Sequence, residues 1–259
     1  MSTRRPTAVW ESIIAEAHAQ RRPVSIETVC HTCAWALRAH GVAVALTGTP
    51  LGYEPLCASG PAAYQVMEAH ATLGEGPAIT ALTDQRPILV PDLAEADALR
   101  RWPLLAPAAL ETGAQALFAL PMMLGAISVG VLEISRADAG WLSPEDLADA
   151  LTFADIALLV HIQHNADQEP DGTPATHGSR IDDTVIDGVP VDGPHRDYGT
   201  VERWAQVHQA TGIIAVQAGV DLRTAFLRLR AHAFAVDRSL RQVAADVIAR
   251  RLRFPAEPR

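Results

Sequence analysis

Lysine is absent from this chain, so all 21 basic residues are arginine. We read that as base-composition bias rather than function. It removes the lysine that a phosphate-cradling loop requires, and Leu73-Gly74-Glu75-Gly76-Pro77 also lacks the longer glycine spacing. Cysteine is scarce as well: three in 259 residues, an odd number that argues against a disulfide scaffold and fits a reducing cytoplasm. Arg4 and Arg5 stand near the start of the chain, but Glu11 and Glu16 interrupt the next stretch, and no signal-peptide core is present. Charge is missing from Thr112 to Leu132. Length alone would permit a membrane span there. Pro121, Gly125 and Gly130 divide the run into Ala116–Met123 and Ile127–Ile134 around Leu124-Gly125-Ala126, which fits a buried β-hairpin better.

Chemistry-bearing constellations are thin. Cys30-His31-Thr32-Cys33 has redox or metal spacing, but no second pair completes a zinc site; two small side chains on one helix face are the better reading. His161 and His164 lie three apart without a carboxylate or cysteine set to make a metal site. Glu75, Asp84 and Asp92 are carboxylates without partner spacing, as on a solvated loop face. No nucleophile elbow or zinc-protease motif occurs. The expectation is a non-enzymatic protein with no cofactor and no metal.

What the chain does have is 49% hydrophobic and 20% charged residues, enough for a sizeable core. Helices are expected over Ala8–Gln20, from a Ser25 cap to His40 closed by Gly41, over Ala62–Ala71 and over Ala106–Thr112. Val42–Leu46 and Pro55–Ala58 read as strands, and the proline-flanked segment Arg86–Leu93 as an edge strand. Ser143-Pro144-Glu145-Asp146 starts a long helix whose stripe is Leu147, Leu151, Ala154, Leu158 and Ile162. This alternation predicts an α+β layout.

The last quarter differs. Trp204, Val207, Thr211, Ile214 and Ala218 form one helical stripe, closed by Gly219. Asp221 caps a second helix carrying Leu222, Ala225, Phe226, Leu229 and Ala233. Asp237-Arg238 break it, and Ser239 with Gln242 forms a capping box for a third. From Thr200 onward ten arginines face five acids, a balance of +5, which leaves −14 on the first 199 residues. A basic module on an acidic protein is the footprint of a nucleic-acid binder.

Gln209-Ala210-Thr211-Gly212-Ile213-Ile214, Gly219-Val220, Ala225-Phe226-Leu227-Arg228-Leu229-Arg230 and Leu240-Arg241-Gln242-Val243-Ala244 closely resemble the ANTAR domain. That family is a three-helix RNA-binding module of bacterial antitermination regulators. The resemblance implies RNA contacts from Gln209, Thr211, Gly212, Arg223, Arg228, Arg230, His232, Arg238 and Arg241. Thr211 stands where many members carry a basic residue, and its hydroxyl can donate to RNA. Upstream, Leu73-Gly74-Glu75-Gly76-Pro77, Arg86-Pro87, Pro91-Asp92-Leu93, Arg101-Trp102-Pro103 and Ala119-Leu120-Pro121 resemble the GAF domains that precede ANTAR domains in actinobacteria. That resemblance implies an antiparallel sheet, helices on one side as a dimer bundle and a pocket for a small molecule on the other.

The expected architecture is thus an N-terminal helix (1–23), an α+β GAF-like sensor domain (24–165), an acidic Pro/Gly-containing linker (166–199) and an all-α three-helix ANTAR bundle (200–254). The linker region carries a net charge of −6 from Asn165 to Gly199. It reads as a solvated tether, or more sharply as a strand competing with RNA for the arginine face. The resemblance implies a cytoplasmic homodimeric regulator, without membrane attachment, that grips paired hairpins in leader transcripts. Two rivals stay open: a DNA-binding helix-turn-helix regulator, and a protein–protein adaptor whose bundle no longer binds RNA.

Overall fold

The computed structural model describes residues 4–47, 52–168 and 200–255. Most of the expected linker, 169–199, lies outside them. Helix α1 (Arg4–Gln20) leads into α2 (Ile26–Ala36), where the Ser25 hydroxyl accepts from the Thr28 amide as an N-cap. This helix stops four residues short of His40. Arg38 takes a left-handed conformation (φ 49°) that ends the helical path, and Gly41 belongs to the next strand rather than to a cap. Strands β1 (Gly41–Leu46) and β2 (Glu54–Ala58) come next, then α3 (Pro61–Leu73).

The expected loop after α3 shrinks to three residues, because α4 (Pro77–Asp84) begins at Pro77. Neither α4 nor α5 (Ala96–Arg101) is legible as a helix in the sequence. Strand β3 (Ile88–Val90) precedes α5, and α6 (Leu105–Glu111) leads to the hairpin of β4 (Ala116–Leu124) and β5 (Ile127–Arg136). The long helix α7 (Pro144–Gln168) starts on its Ser143 cap, whose hydroxyl accepts from the Asp146 amide at 3.0 Å. Helices α8 (Thr200–Ala218), α9 (Leu222–Ala235) and α10 (Leu240–Ile248) complete the described chain.

The five strands form one antiparallel sheet in the order β2-β1-β5-β4-β3. The uncharged run is the predicted hairpin. Pro121 is tolerated inside it because β3 pairs only with Leu117–Ala119, so no third strand asks for the missing amide. Strand alternation sends Val42, Val44, Phe118, Leu120, Leu132 and Ile134 to a core shared with α1, α2 and α7. Cys30 and Cys33 are fully buried in that core as free thiols, and burial pushes the Cys33 thiol up. The opposite face sends Ala43, Ala45, Leu117, Ala119 and Val131 toward α3–α6.

Helices α8–α10 form the three-helix bundle with the expected punctuation. Gly219 is left-handed (φ 64°), Asp221 caps α9, and both halves of the Ser239–Gln242 capping box are made. The bundle does not stand apart. Its buried residues, among them Trp204, Val207, Phe226 and Leu229, are continuous with the core on the α3 side of the sheet. Among the described residues no helix is long and apolar enough to cross a membrane.

Candidate nucleic-acid interface

The spacing of α8 sorts its residues onto three sides. Trp204, Val207, Ala210, Ile214 and Ala218 are buried and hold the bundle together. Gln209, Gly212 and Val216, at intervals of three and four, face outward onto a groove. His208 lies on the third side, which is turned toward the sheet: its Nε2 lies 2.8 Å from Oε1 of Glu54 on β2.

The groove runs between α8 and α10 and has a volume of about 770 Å³. Ile213, Val216, Val247 and Ile248 give it apolar walls; Gln209 and Gln217 add amide edges; Arg250 and Arg253 supply positive charge. A Cβ built at Gly212 would meet nothing within 4 Å, so the bare backbone there faces open space. The chain after α10 is folded back to place the arginines. Arg250 adopts a left-handed conformation (φ 59°), the amides of Arg251 and Leu252 both donate to the Asp246 carbonyl, and the Phe254 amide donates to Gln217 Oε1 at 3.0 Å. Arginine guanidinium groups beside amide edges and a glycine-opened backbone are a chemistry suited to phosphate and base edges together.

The sequence-derived candidates therefore scatter. Gln209 and Gly212 lie on the groove. Thr211 does not: it is 1% exposed, and its hydroxyl donates to the Val207 carbonyl at 2.7 Å, so in this arrangement it cannot touch RNA. Arg230 is half-buried over Gly74, where the guanidinium would overlap any Cβ, and burial pushes its pKa down. Arg238 is committed to Asp246 at 2.6 Å, a carboxylate that Arg251 also holds and that both keep below its usual pKa. His232 packs edge-on against Phe254 with centroids 5.5 Å apart. Arg223 and Arg241 are exposed on the first turns of α9 and α10, and Arg228 is half-buried. Sequence reasoning missed Arg250 and Arg253. They lie beyond the last helix, and only the tail's return to α8 gives them a place.

The carboxylates near the sensor sheet have local duties. Glu75 Oε1 accepts the Leu104 and Leu105 amides at the start of α6, Asp84 pairs with Arg86, and Asp92 accepts the Ala94 amide. His161 is held below its usual pKa, first by burial and then by His164. Among the described residues no group of three or more His, Cys, Asp or Glu side chains could hold a metal.

One polar cluster in the sensor interior has no signal in the sequence. Glu133 on β5 points into the α3 side, with Oε2 3.3 Å from Nε2 of His70; both are buried. Nδ1 of His70 sits 2.9 Å from the Val66 carbonyl, which fixes that nitrogen as the donor, and Nε2 accepts from the Ala78 amide at 3.4 Å. Burial lowers the His70 pKa to about 4 and raises that of Glu133 to about 8. Burial thus favours the neutral form of both groups rather than an ion pair, and Glu133 Oε2 has no hydrogen-bond partner among the described residues. Tyr53 stacks on His70 with centroids 5.9 Å apart, and burial pushes its phenol up.

Comparison with known proteins places the bundle. Residues 200–248 match the ANTAR domain. No match was found among curated proteins. Similar solved structures include the GAF domain from an Acinetobacter phosphoenolpyruvate-protein phosphotransferase, with TM-score 0.46 and 14% identity over 64% of this chain and 98% of that one. The corresponding GAF domain from Coxiella burnetii gives TM-score 0.46 and 16% identity, covering 62% and 97%. A GAF domain/HD domain protein from Geobacter sulfurreducens gives 0.42 and 16%, covering 56% and 97%. The upstream unit is an antiparallel sheet with flanking helices, and helices α8–α10 coincide with the residues that match the ANTAR domain.

Proposed function

We propose that the chain is a non-enzymatic RNA-binding regulator of transcription antitermination, in which a GAF-like sensor unit governs an ANTAR domain. The observation that carries this reading is the groove between α8 and α10, built from the ANTAR helices and closed by Arg250 and Arg253. Loop bases of an RNA hairpin are unstacked and accessible to side chains, whereas duplex RNA hides its base edges in a deep groove. Gln209 and Gln217 offer both donors and acceptors to such a base, while the arginines take the flanking phosphates.

The proposed target is a pair of small hairpins in a nascent leader transcript, held by a cytoplasmic homodimer. Trp35, Leu151, Leu159 and Ile162 are exposed on α2 and α7, an apolar row suited to a second copy. Two linked ANTAR domains would gain effective concentration on two hairpins. The input is a small ligand or partner acting on the sensor.

A gel-shift comparison using the full chain tests the reading. A two-hairpin RNA should be retarded, while its DNA equivalent and a scrambled RNA should not. Equal binding of the DNA would favour a DNA-binding regulator. Indifference to all three would favour an adaptor, a role compatible with the continuous core joining the bundle to the sensor.

A further inference from the structure

We infer that the docked arrangement is a closed state, in which the sensor covers a second face of the RNA module and competes with RNA for it. This rests on the RNA-binding reading above and concerns its regulation. Two contacts define the covered face: His208 of α8 on Glu54 of β2, and Arg230 of α9 over Gly74 at the end of α3. His208 keeps 40% of its side chain exposed beside its contact, and Arg230 is half-buried at the other. Arg230 comes from a stretch that carries the ANTAR resemblance, yet in this arrangement its guanidinium is drawn onto the sensor.

Arg230 sits at the carboxyl end of α3. Helix α3 ends at Gly74, whose left-handed conformation (φ 70°) caps it, and the carboxyl end of a helix carries partial negative charge. A Cβ there would overlap the guanidinium and displace it. The carbonyl end of α3 and the carboxylate of Glu54 thus present to α8–α9 what an RNA backbone would present: negative charge and hydrogen-bond acceptors. The groove at Gln209, Gly212, Arg250 and Arg253 stays open in the same structure. The closed chain can therefore hold RNA by one face and not by both.

Both anchor points connect directly to the buried polar cluster. Tyr53 precedes Glu54 and stacks on His70, and the His70 carbonyl accepts the amide of Gly74. A change that moves Tyr53, His70 or Glu133 therefore reaches both contacts without crossing a further element. If the closed state outweighs the open one ten to one, apparent RNA affinity falls about tenfold.

Two full-length variants test the competition, neither touching the groove. Glu54→Arg with Gly74→Asn sets a cation against His208 and fills the Arg230 seat with a residue that tolerates the left-handed conformation. Faster hydrogen exchange in α3 and α8 should report opening, and affinity for a two-hairpin RNA should rise about tenfold. In the second, Glu54→Cys with His208→Cys is bridged by a reducible bifunctional thiol reagent, the native cysteines being buried. The bridge should weaken binding by at least a comparable factor, and reduction should restore it. Unchanged affinity in the bridged chain, or in the opened variant once its exchange has risen, overturns the competition. RNA binding by neither wild type nor opened variant instead sinks the RNA reading, while exchange still reports the docking.

Discussion

At the scale of single residues, two positions separate function from packing. Gly212 is helical, yet nothing stands within 4 Å of a Cβ placed there. Gly212→Ala should therefore stabilise the chain by roughly 0.5–1 kcal/mol through helix propensity. Gly212→Leu should fold equally well and weaken RNA binding by about tenfold or more, because its side chain enters the groove. Thermal melts and RNA titrations of the two variants check this; a Leu variant with full affinity would remove the groove from the interface. Glu133 gives a pH prediction. Its pKa is raised to about 8, so the folded state keeps a proton that the unfolded chain releases. That contribution is fully present below the unfolded carboxyl pKa and is lost as pH rises toward 8. His70, lowered to about 4, acts oppositely: its contribution is lost as pH falls from the unfolded imidazole value toward 4. Between the two unfolded values the slopes offset, and above about pH 6.5 the Glu133 loss stands alone. Glu133→Gln keeps the size and shape of the side chain without the titration. From about pH 6.5 to 8 wild type should lose on the order of 1–2 kcal/mol more than this variant in denaturant melts.

At the scale of elements, caps decide how much of the fold is legible in the sequence. Ser25, Ser143, Asp221 and Ser239 each stand before an apolar stripe, and each starts a helix in the structure. The hairpin is legible from its missing charge and its central Gly125. Helices α4 and α5 are not, because they have only eight and six residues and no side-chain cap. Helix α2 reads too long in the sequence because its end depends on Arg38 in a left-handed conformation that glycine or asparagine would ordinarily signal. The site is half legible for a related reason. Helical spacing can say that Gln209 and Gly212 share a side, but not that His208 meets Glu54, 154 residues away in sequence, nor that Phe254 returns to Gln217. The capping box bears on the groove too, since it begins the helix that forms one wall. Ser239→Ala should cost about 1 kcal/mol, within the roughly 0.5–2 kcal/mol usual for such caps. Its effect on RNA affinity should be smaller than that of Gly212→Leu; calorimetry together with RNA titration separates the two effects.

At the scale of the whole molecule, an acidic sensor unit and a basic three-helix unit share one apolar core, and polar contacts join them at Glu54–His208 and at the Arg230 seat. The opposite face of the sheet carries α1, α2 and α7, with Leu159 57% exposed along α7. Leu159→Glu should shift a dimer toward monomer in analytical ultracentrifugation and reduce the advantage of two hairpins over one, leaving single-hairpin affinity in place. The central claim is that Arg250 and Arg253 hold RNA phosphates beside α8. The direct measurement is the salt dependence of full-chain affinity for the two-hairpin RNA, in wild type and in Arg250→Ala with Arg253→Ala. Removing one arginine–phosphate pair should flatten the log K against log salt slope by about 0.7–1, so the double variant should show a slope shallower by about 1.4–2. Parallel lines at equal affinity would contradict the account.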